Sequence, residues 1–146
     1  MSIVVPTRDR AATLVDTLRA LVRQDYPSDR LEIIVVDNAS GDDTEAVVQS
    51  ARSTSPFAIH YLRKDNQGPA AARNVGIAHA TGEVVGFTDS DCTMDPGWVR
   101  GAAGHFASGA GLVSGPVRPV INPRRVPGFF YHQTDHHHPN TLYPTA

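Results

Sequence analysis

The sequence has only one cysteine, Cys92, and this scarcity limits what the chain can build. A single thiol excludes an internal disulfide and a zinc site made of cysteines, and it fits a reducing compartment. The opening residues, MSIVVPTRDR, lack the basic start and the long apolar segment of a signal peptide. We therefore expect a cytoplasmic protein, with peripheral attachment to the inner face of a membrane as the alternative.

Long hydrophobic runs and an excess of basic charge are also lacking. No apolar stretch approaches the roughly 20 residues that are needed to cross a bilayer. The net charge of −2 provides no broad basic surface for a nucleic acid polymer. With 40% hydrophobic and 19% charged residues, a chain of 146 residues has the size and composition of one globular domain. The expected partner is therefore small, or is recognised locally.

Four short apolar runs predict β-strands, because they are rich in β-branched or aromatic residues and too short for buried helices. They are residues 2–5, 31–36, 58–62 and 83–87. Helical patterns cover residues 10–24, 43–53 and 69–80, and a fourth helix is expected from Asp95 and Pro96 to about Phe106. The run IIVV has no polar alternation, which is typical of a strand covered on both faces. The predicted fold class is α/β, a mainly parallel sheet flanked by helices in a three-layer sandwich.

Local signals predict where these elements end and which faces they bury. Ser40 with Asp43 predicts a capping box before the second helix, and Gly82 predicts the end of the third. A fifth strand is expected within residues 111–117. The apolar helix faces are expected to contain Leu14, Leu18, Leu21 and Val22 in the first helix and Ala46, Val47 and Ala51 in the second.

The composition of the chain changes after Val117, where prolines and the histidine-rich segment HQTDHHHPN replace the pattern of alternating strands and helices. We expect residues 1–118 to form a ligand-binding subdomain and residues 119–146 to form a Pro/His-rich loop segment. A Zn²⁺ or Ni²⁺ site is the alternative for the histidines, and the prolines and consecutive spacing disfavour it because they suit no rigid tetrahedral site. These histidines are His132, His136, His137 and His138.

Polar clusters follow all four predicted strands. They read PTRDR, DNASGDDT, RKDNQGPAAARN and TDSDC in chain order. The carboxyl ends of parallel strands lie at one edge of a sheet, and ligands of α/β proteins bind there. Each cluster alone also fits a turn or a solvated loop. Four such clusters at four successive strand ends favour a binding site.

Asp89 and Asp91 lie one residue apart, where an apolar run stops. Like charges this close require a metal ion, a cationic partner or protonation of one of them. Mg²⁺ or Mn²⁺ takes carboxylate oxygens and completes its shell with phosphates and water. We expect Asp91 to contact the ion and Asp89 to accept hydrogen bonds from a sugar hydroxyl or metal-bound water. The alternative is a turn in which Asp91 caps a neighbouring segment.

Asp37 and two arginines complete the expected ligand site. Asp37 can accept a hydrogen bond from the N–H of a pyrimidine ring, and its alternative role is that of a turn residue. Arg8 and Arg73 can supply fixed cationic donors to a base or to phosphates. Replacing Asp37 with alanine is therefore expected to weaken nucleotide binding while leaving the fold intact.

Taken together, SIVVPTRDR, EIIVVDNASGDDT, DNQGPAAARNVGIAHATGEVVGFTDSDC and DPGWV resemble the amino-terminal portion of a family 2 glycosyltransferase of the GT-A fold. The resemblance covers roughly residues 2–117. It implies that a sugar is moved, with inversion, from a UDP-, GDP- or dTDP-linked donor to a sugar, lipid-linked or protein acceptor. It also implies Mn²⁺ or Mg²⁺ at Asp91 of a DXD motif. The nucleotide-sugar-binding residues that it implies are Pro6, Thr7, Arg8, Asp37, Arg73, Asp89 and Ser90.

The sequence departs from that family in two places. Arg8 stands where these enzymes often carry an aromatic residue, and the acidic general base expected well downstream of the DXD motif has one candidate, Asp135. Asp135 lacks the surrounding family pattern, so we expect the base to lie beyond Ala146. The chain then reads as a piece of a longer protein, and its exposed apolar surface favours self-association. Alternative functions are a nucleotide-binding half-domain that is inactive alone, or a nucleotidyltransferase, which the absence of glycine in PTRDR disfavours.

Overall fold

The computed structural model describes residues 1–65 and 68–115, together with the backbone of the strand Tyr143–Pro144. The chain divides into two compact units, Met1–Arg100 and Gly101–Ala146. The predicted domain boundary after residue 118 lies outside the described residues. So do Asp135 and the four histidines of the carboxyl-terminal segment.

The first unit contains a four-stranded parallel sheet. Its strands are β1 (Ser2–Thr7), β2 (Glu32–Asp37), β3 (Ala58–Arg63) and β4 (Val85–Phe87), in the order β3-β2-β1-β4. The helices α1 (Ala11–Val22), α2 (Thr44–Thr54) and α3 (Pro69–His79) alternate with the strands, and α4 (Trp98–Ala107) begins in this unit. The prediction of an α/β fold with a parallel sheet is confirmed.

Strand side chains alternate between two apolar layers, one on each face of the sheet. The first layer joins Ile3, Val5, Ile33, Val35 and Ile59 to Leu14, Leu18 and Leu21 of α1 and to Val48 of α2. The second joins Val4, Ile34 and Val36 to Ala72 of α3. Each fully buried aliphatic side chain contributes about 1.5–3 kcal/mol, so burial on both faces accounts for the unbroken apolar run in β2. In α2 the buried hydrophobic residue is Val48, whereas Ala46, which was expected on that face, is exposed.

Two glycines are required by close backbone approaches. A Cβ on Gly76 would overlap the side chain of Val4, so this small residue lets α3 lie directly on β1. Gly82 does not end α3 as predicted, because the helix ends at His79 and the backbone of Ala80 is already extended. A Cβ on Gly82 would instead lie 2.8 Å from the Cα of Met1.

The predicted capping box before α2 is wrong. The Thr44 amide and hydroxyl both donate to Oδ1 of Asp42, at 3.2 and 2.5 Å, and this carboxylate holds the start of the helix. Ser40, the expected cap, donates its hydroxyl to Asp37 instead. A buried carboxylate outcompetes a helix terminus for the serine because an unpaired buried charge costs more than an uncapped helix.

The fourth helix begins later than predicted. Its first residue is Trp98, whose amide donates to the Asp95 carbonyl oxygen at 3.0 Å and closes a turn before the helix. In the second unit, β5 (Ala110–Leu112) pairs antiparallel with β6 (Tyr143–Pro144). The strand expected within residues 111–117 is thus present but starts earlier, and β6 falls in the segment expected to be loop.

Within the described ranges no helix is long and apolar enough to span a membrane.

The partly buried carboxylate of Glu32 joins the segments at the amino-terminal edge of the sheet. Oε1 of Glu32 accepts hydrogen bonds from the Ser2 hydroxyl at 2.6 Å and from the Thr81 amide and hydroxyl at 2.7 Å each. Oε2 lies 3.3 Å from Nε2 of His60. Burial alone would raise the pKa of Glu32, but these hydrogen bonds outweigh it and lower the pKa to about 2.

This lowered pKa predicts how stability responds to acid. The pKa of Glu32 is lower in the folded chain than its ordinary value of 4.5, so its stabilising contribution is complete above that pH and is lost as the pH falls toward about 2. Glu32→Gln should lower the free energy of unfolding at pH 7 and flatten its decline across this window. Thermal unfolding from pH 2 to 7 measures both, with the exposed Glu83→Gln as the matched control. Parallel curves for Glu32→Gln and the original chain would contradict the assignment.

Candidate active site

The carboxyl ends of the strands bring the predicted polar clusters to one edge of the sheet. Thr7 of β1 pairs in register with Asp37 of β2, which pairs with Arg63 of β3. On the other side of β1, the chain leaves β4 at Thr88, whose amide donates to the Val4 carbonyl oxygen at 3.2 Å. The loops that follow the four strands therefore start side by side.

Asp37 is completely buried, and its carboxylate accepts four hydrogen bonds. Oδ1 accepts from the Ser40 amide at 2.8 Å and from the Ser40 hydroxyl at 2.5 Å. Oδ2 accepts from the Tyr61 hydroxyl at 2.6 Å and from Nη1 of Arg63 at 3.2 Å. In this geometry Asp37 fixes the loop after β2, and it acts on the edge of the sheet through these three residues.

Tyr61 and Arg63 extend this network toward the surface. Burial and the hydrogen bond to Asp37 raise the pKa of Tyr61 to about 12, so its hydroxyl remains a donor at neutral pH. Nη2 of Arg63 donates to the Ser40 carbonyl oxygen at 2.9 Å, although about half of the arginine side chain is exposed. The guanidinium thus offers a fixed positive charge at the mouth of the site.

The loop after β1 is anchored on the loop after β2 by three hydrogen bonds. The Gly41 amide donates to Oδ1 of Asp9 at 2.7 Å, and the Asp9 amide donates to Oγ of Ser40 at 2.9 Å. The Ala11 amide donates to Oδ2 of Asp42 at 2.8 Å. Asp9 has a φ of 49°, a left-handed conformation that few side chains adopt without such support. The turn into α1 is therefore held in one orientation.

Asp89 and Asp91 each have their own arginine partner. Nη2 of Arg73 lies 2.7 Å from Oδ1 of Asp89, and Nη1 of Arg10 lies 2.9 Å from Oδ2 of Asp91. Ser90, between the two carboxylates, is buried. Of the three remedies expected for neighbouring carboxylates, the described geometry shows the cationic partner.

The same two carboxylates fit a hard divalent cation in their donor chemistry. Both present exposed oxygens, the atoms that Mg²⁺ and Mn²⁺ prefer. No group of three or more metal-ligating side chains occurs in the described part of the chain. A metal here would need oxygens from another source, and the phosphates of a substrate commonly provide them.

Pro6 and Thr7 end β1 as buried residues, and Arg8 follows them as an exposed one. Oγ1 of Thr7 has no hydrogen-bond partner among the described residues, although Thr7 is only 4% exposed. A buried hydroxyl left unpaired costs about 1–3 kcal/mol, so this atom is suited to a bound ligand. Nε of Arg8 lies 3.5 Å from Oδ2 of Asp9, a loose contact between half-exposed groups.

An open depression of about 450 Å³ lies at the ends of β2 and β3. It is lined by Ala39, Arg63, Lys64 and Asp65. Two cationic residues, one acidic residue and Ala39 of the loop after β2 thus line a volume that suits part of a nucleotide.

Four residues of this site were not identified from the sequence: Arg10, Ser40 as a partner of Asp37, Tyr61 and Arg63. Arg63 could have been found by aligning the ends of the predicted strands, since it lies level with Asp37. Arg10 carries no such signal, because its partner Asp91 is 81 residues away along the chain. The residues Asn66 and Gln67 of the third polar cluster lie outside the described ranges.

The sequence matches known proteins along most of its length. The model of the family described as Glycosyl transferase family 2 matches residues 2–143. Glycosyltransferase AglE of Haloferax volcanii is 31% identical over 118 residues, which are 80% of this chain and 39% of AglE. Poly(ribitol-phosphate) beta-N-acetylglucosaminyltransferase TarS of Staphylococcus aureus is 30% identical over 133 residues, which are 91% of this chain and 23% of TarS. The chain thus spans well under half the length of these curated relatives.

Two solved structures share the architecture. TarS residues 1–349 in complex with UDP-GlcNAc align with a TM-score of 0.67 at 31% identity, covering 74% of this chain and 31% of that one. Mannosyltransferase PcManGT from Pyrobaculum calidifontis, in complex with GDP-Man and Mn²⁺, aligns with a TM-score of 0.67 at 34% identity, covering 70% and 30%. Both neighbours are complexes with a nucleoside-diphosphate sugar.

Proposed function

Since this chain belongs to glycosyl transferase family 2 and has the GT-A fold of its structural neighbours, we propose that it acts in moving a sugar from a nucleoside-diphosphate donor to an acceptor hydroxyl. The observation that carries the proposal is the arrangement of Asp89 and Asp91 at the carboxyl edge of the sheet, each beside an arginine. This edge offers carboxylates for a cation and guanidinium groups for phosphates, which is the combination that a nucleoside diphosphate requires.

The nucleoside is assigned to the part of the edge formed by β1, β2 and β3. The unpaired hydroxyl of Thr7 and the cationic depression at Arg63 support this assignment. Asp37 is assigned an indirect role in nucleotide binding, because its four hydrogen bonds hold the donors around the depression. UDP, GDP and dTDP remain the candidate carriers, and the complexes of TarS with UDP-GlcNAc and of PcManGT with GDP-Man support the first two.

Metal dependence and inversion are part of the proposal. Asp91, with Asp89 beside it, would hold Mn²⁺ or Mg²⁺, and a bound ion neutralises the charge that grows on a departing diphosphate. Arg73, which pairs with Asp89 from α3, would supply a positive charge to the diphosphate. Direct displacement by an acceptor hydroxyl also needs a general base. The acceptor remains a sugar, a lipid-linked or a protein hydroxyl, and the cytoplasmic location also stays a prediction.

A second candidate is a nucleotide-binding unit that does not turn over its donor alone. The observation that favours it is the engagement of the acids at this edge, within the described part of the chain. Asp9, Asp37 and Asp42 accept hydrogen bonds that hold the loops, and Asp89 and Asp91 pair with arginines. These five carboxylates thus already have partners, and none of them is dedicated to deprotonating an acceptor.

A donor-consumption assay tests the proposed function. UDP-, GDP- and dTDP-sugars are incubated with the chain and Mn²⁺, with and without acceptor sugars, and release of the nucleoside diphosphate is followed. We expect metal-dependent release from at least one donor, and loss of that release in Asp91→Asn. Binding of a donor without release would favour the second candidate. Neither binding nor release with any donor would contradict both.

A further inference from the structure

Arg10 lies between two of the loops that form the site. Because β1 lies between β2 and β4 in the sheet, the loop after β1 has a neighbour on each side. Its backbone is anchored on the β2 side, through the hydrogen bonds of Asp9 and Ala11 that flank Arg10. Its Arg10 side chain extends to the β4 side and contacts Asp91. The backbone from which the Arg10 side chain extends is thus fixed, while its guanidinium remains free to move.

The ion pair of Arg10 with Asp91 is short but easily exchanged. Nη1 and Oδ2 are 2.9 Å apart, and the two side chains are 55% and 47% exposed. Exposed pairs of this kind contribute little to stability, so a competing cation can displace the arginine at low cost. The contact lies on the carboxylate that the proposed function assigns to the metal. Arginine and metal therefore compete for the same group.

The charge balance of the edge decides when the metal displaces Arg10 from Asp91. The carboxylates of Asp89 and Asp91 and the guanidinium groups of Arg10 and Arg73 neutralise one another as a set. A divalent cation added alone leaves two uncompensated positive charges in a small space, which is unfavourable. The diphosphate of a nucleotide sugar carries two negative charges and restores the balance.

We propose that Arg10 is an exchangeable counter-ion for Asp91, which makes metal binding depend on the diphosphate. Without a diphosphate, Arg10 occupies Asp91 and opposes the cation. When a diphosphate and the metal bind together, Arg10 leaves Asp91 and pairs with phosphate oxygens, for which its planar fork of donors is suited. This inference rests on the proposed function, because it requires the metal and the diphosphate to share this edge.

Two titrations of the 146-residue chain test the inference. The first measures the binding of Mn²⁺ in the absence of UDP, from the loss of the electron paramagnetic resonance signal of the free ion. The second measures the binding of UDP by calorimetry at saturating Mn²⁺. Arg10→Gln removes the charge, and Arg10→Lys keeps it. Arg19→Gln is the matched control, since Arg19 lies on α1, the helix that begins directly after Arg10, and pairs with Asp16 through exposed groups.

The two titrations should move in opposite directions for Arg10→Gln. Removing one positive charge next to the Asp91 carboxylate should raise the affinity for Mn²⁺ in the absence of UDP by about fivefold. Losing the contact between the arginine and the diphosphate should lower the affinity for UDP at saturating Mn²⁺ by about tenfold. Arg10→Lys should stay within about twofold of the original chain in the Mn²⁺ titration, because the charge remains. A surface arginine with no role in the exchange would change neither value.

The inference is overturned if Arg10→Gln behaves like Arg19→Gln in either titration, or if both of its affinities move in the same direction. This failure is distinct from failure of the proposed function. If Mn²⁺ has no effect on UDP binding in the original chain, the proposed function itself is wrong. If Mn²⁺ tightens UDP in the original chain and Arg10→Gln matches the control, only the counter-ion role of Arg10 is wrong.

Discussion

Replacing Asp37 with alanine is expected to lower the free energy of unfolding by about 3 kcal/mol, because it leaves buried donors without their acceptor. The carboxylate accepts from the Ser40 amide and hydroxyl, from Tyr61 and from Arg63. Arg63 is about half exposed and can turn to water, which keeps the loss below the upper limit for a buried ion pair. Ser40 is buried and has no such freedom.

Urea unfolding at neutral pH measures this effect. Asp37→Asn is the matched variant, because its amide keeps the shape and one acceptor oxygen, and it should lose about half as much stability. Asp16→Ala, at an exposed position of α1, should change the midpoint little. A loss below about 1 kcal/mol for Asp37→Ala would show that the four hydrogen bonds do not hold the loop after β2.

This expectation revises the one drawn from the sequence, in which Asp37→Ala weakened nucleotide binding and left the fold intact. The four hydrogen bonds link the fold and the site through one carboxylate. Nucleotide affinity of the variant should still fall, because Ser40, Tyr61 and Arg63 lose the carboxylate that holds them in place. The affinity must therefore be measured at a temperature where the variant remains folded.

Asp91→Asn is expected to remove most of the metal dependence of nucleotide binding. An asparagine keeps the size of the side chain but has no negative charge, so it is a poor ligand for a hard divalent cation. UDP affinity in Mn²⁺ should fall by at least about tenfold, which is about 1.4 kcal/mol, toward the value measured in chelator. The loss of the contact to Arg10 should add little, since that pair is exposed.

Asp16→Asn is the matched control for this variant. Asp16 is also an exposed aspartate paired with an arginine, Arg19, and both lie on α1. The Asp16→Asn variant should retain the full increase in UDP affinity that Mn²⁺ causes. If Asp91→Asn retained it as well, Asp91 would not be the metal ligand, and the DXD assignment would be wrong.

The strands and helices could be predicted from the sequence because burial leaves a pattern in the chain. The run IIVV has no polar alternation, and the structure covers Ile33 and Ile34 from opposite faces of the sheet. The ends of elements were less predictable, because local signals compete with distant partners. Ser40 lies where the sequence predicts a helix cap, yet its hydroxyl donates a hydrogen bond to Asp37, three residues before it.

The candidate site was predictable in its location and not in its pairings. Strand ends identified the edge where Asp37, Asp89 and Asp91 lie, since parallel strands place their carboxyl ends together. The partners depend on strand order, which the sequence does not state. Arg10 contacts Asp91 only because β4 lies next to β1, and Arg63 contacts Asp37 only because β3 lies next to β2.

The most direct test of the central claim, that this edge binds a diphosphate together with a divalent cation, is a calorimetric titration of the original chain with UDP in Mn²⁺ and in chelator. The account predicts binding at least about tenfold tighter in Mn²⁺, because the metal joins Asp91 to the phosphates. Equal affinities in the two conditions, or no binding of UDP, GDP or dTDP in either, would contradict it.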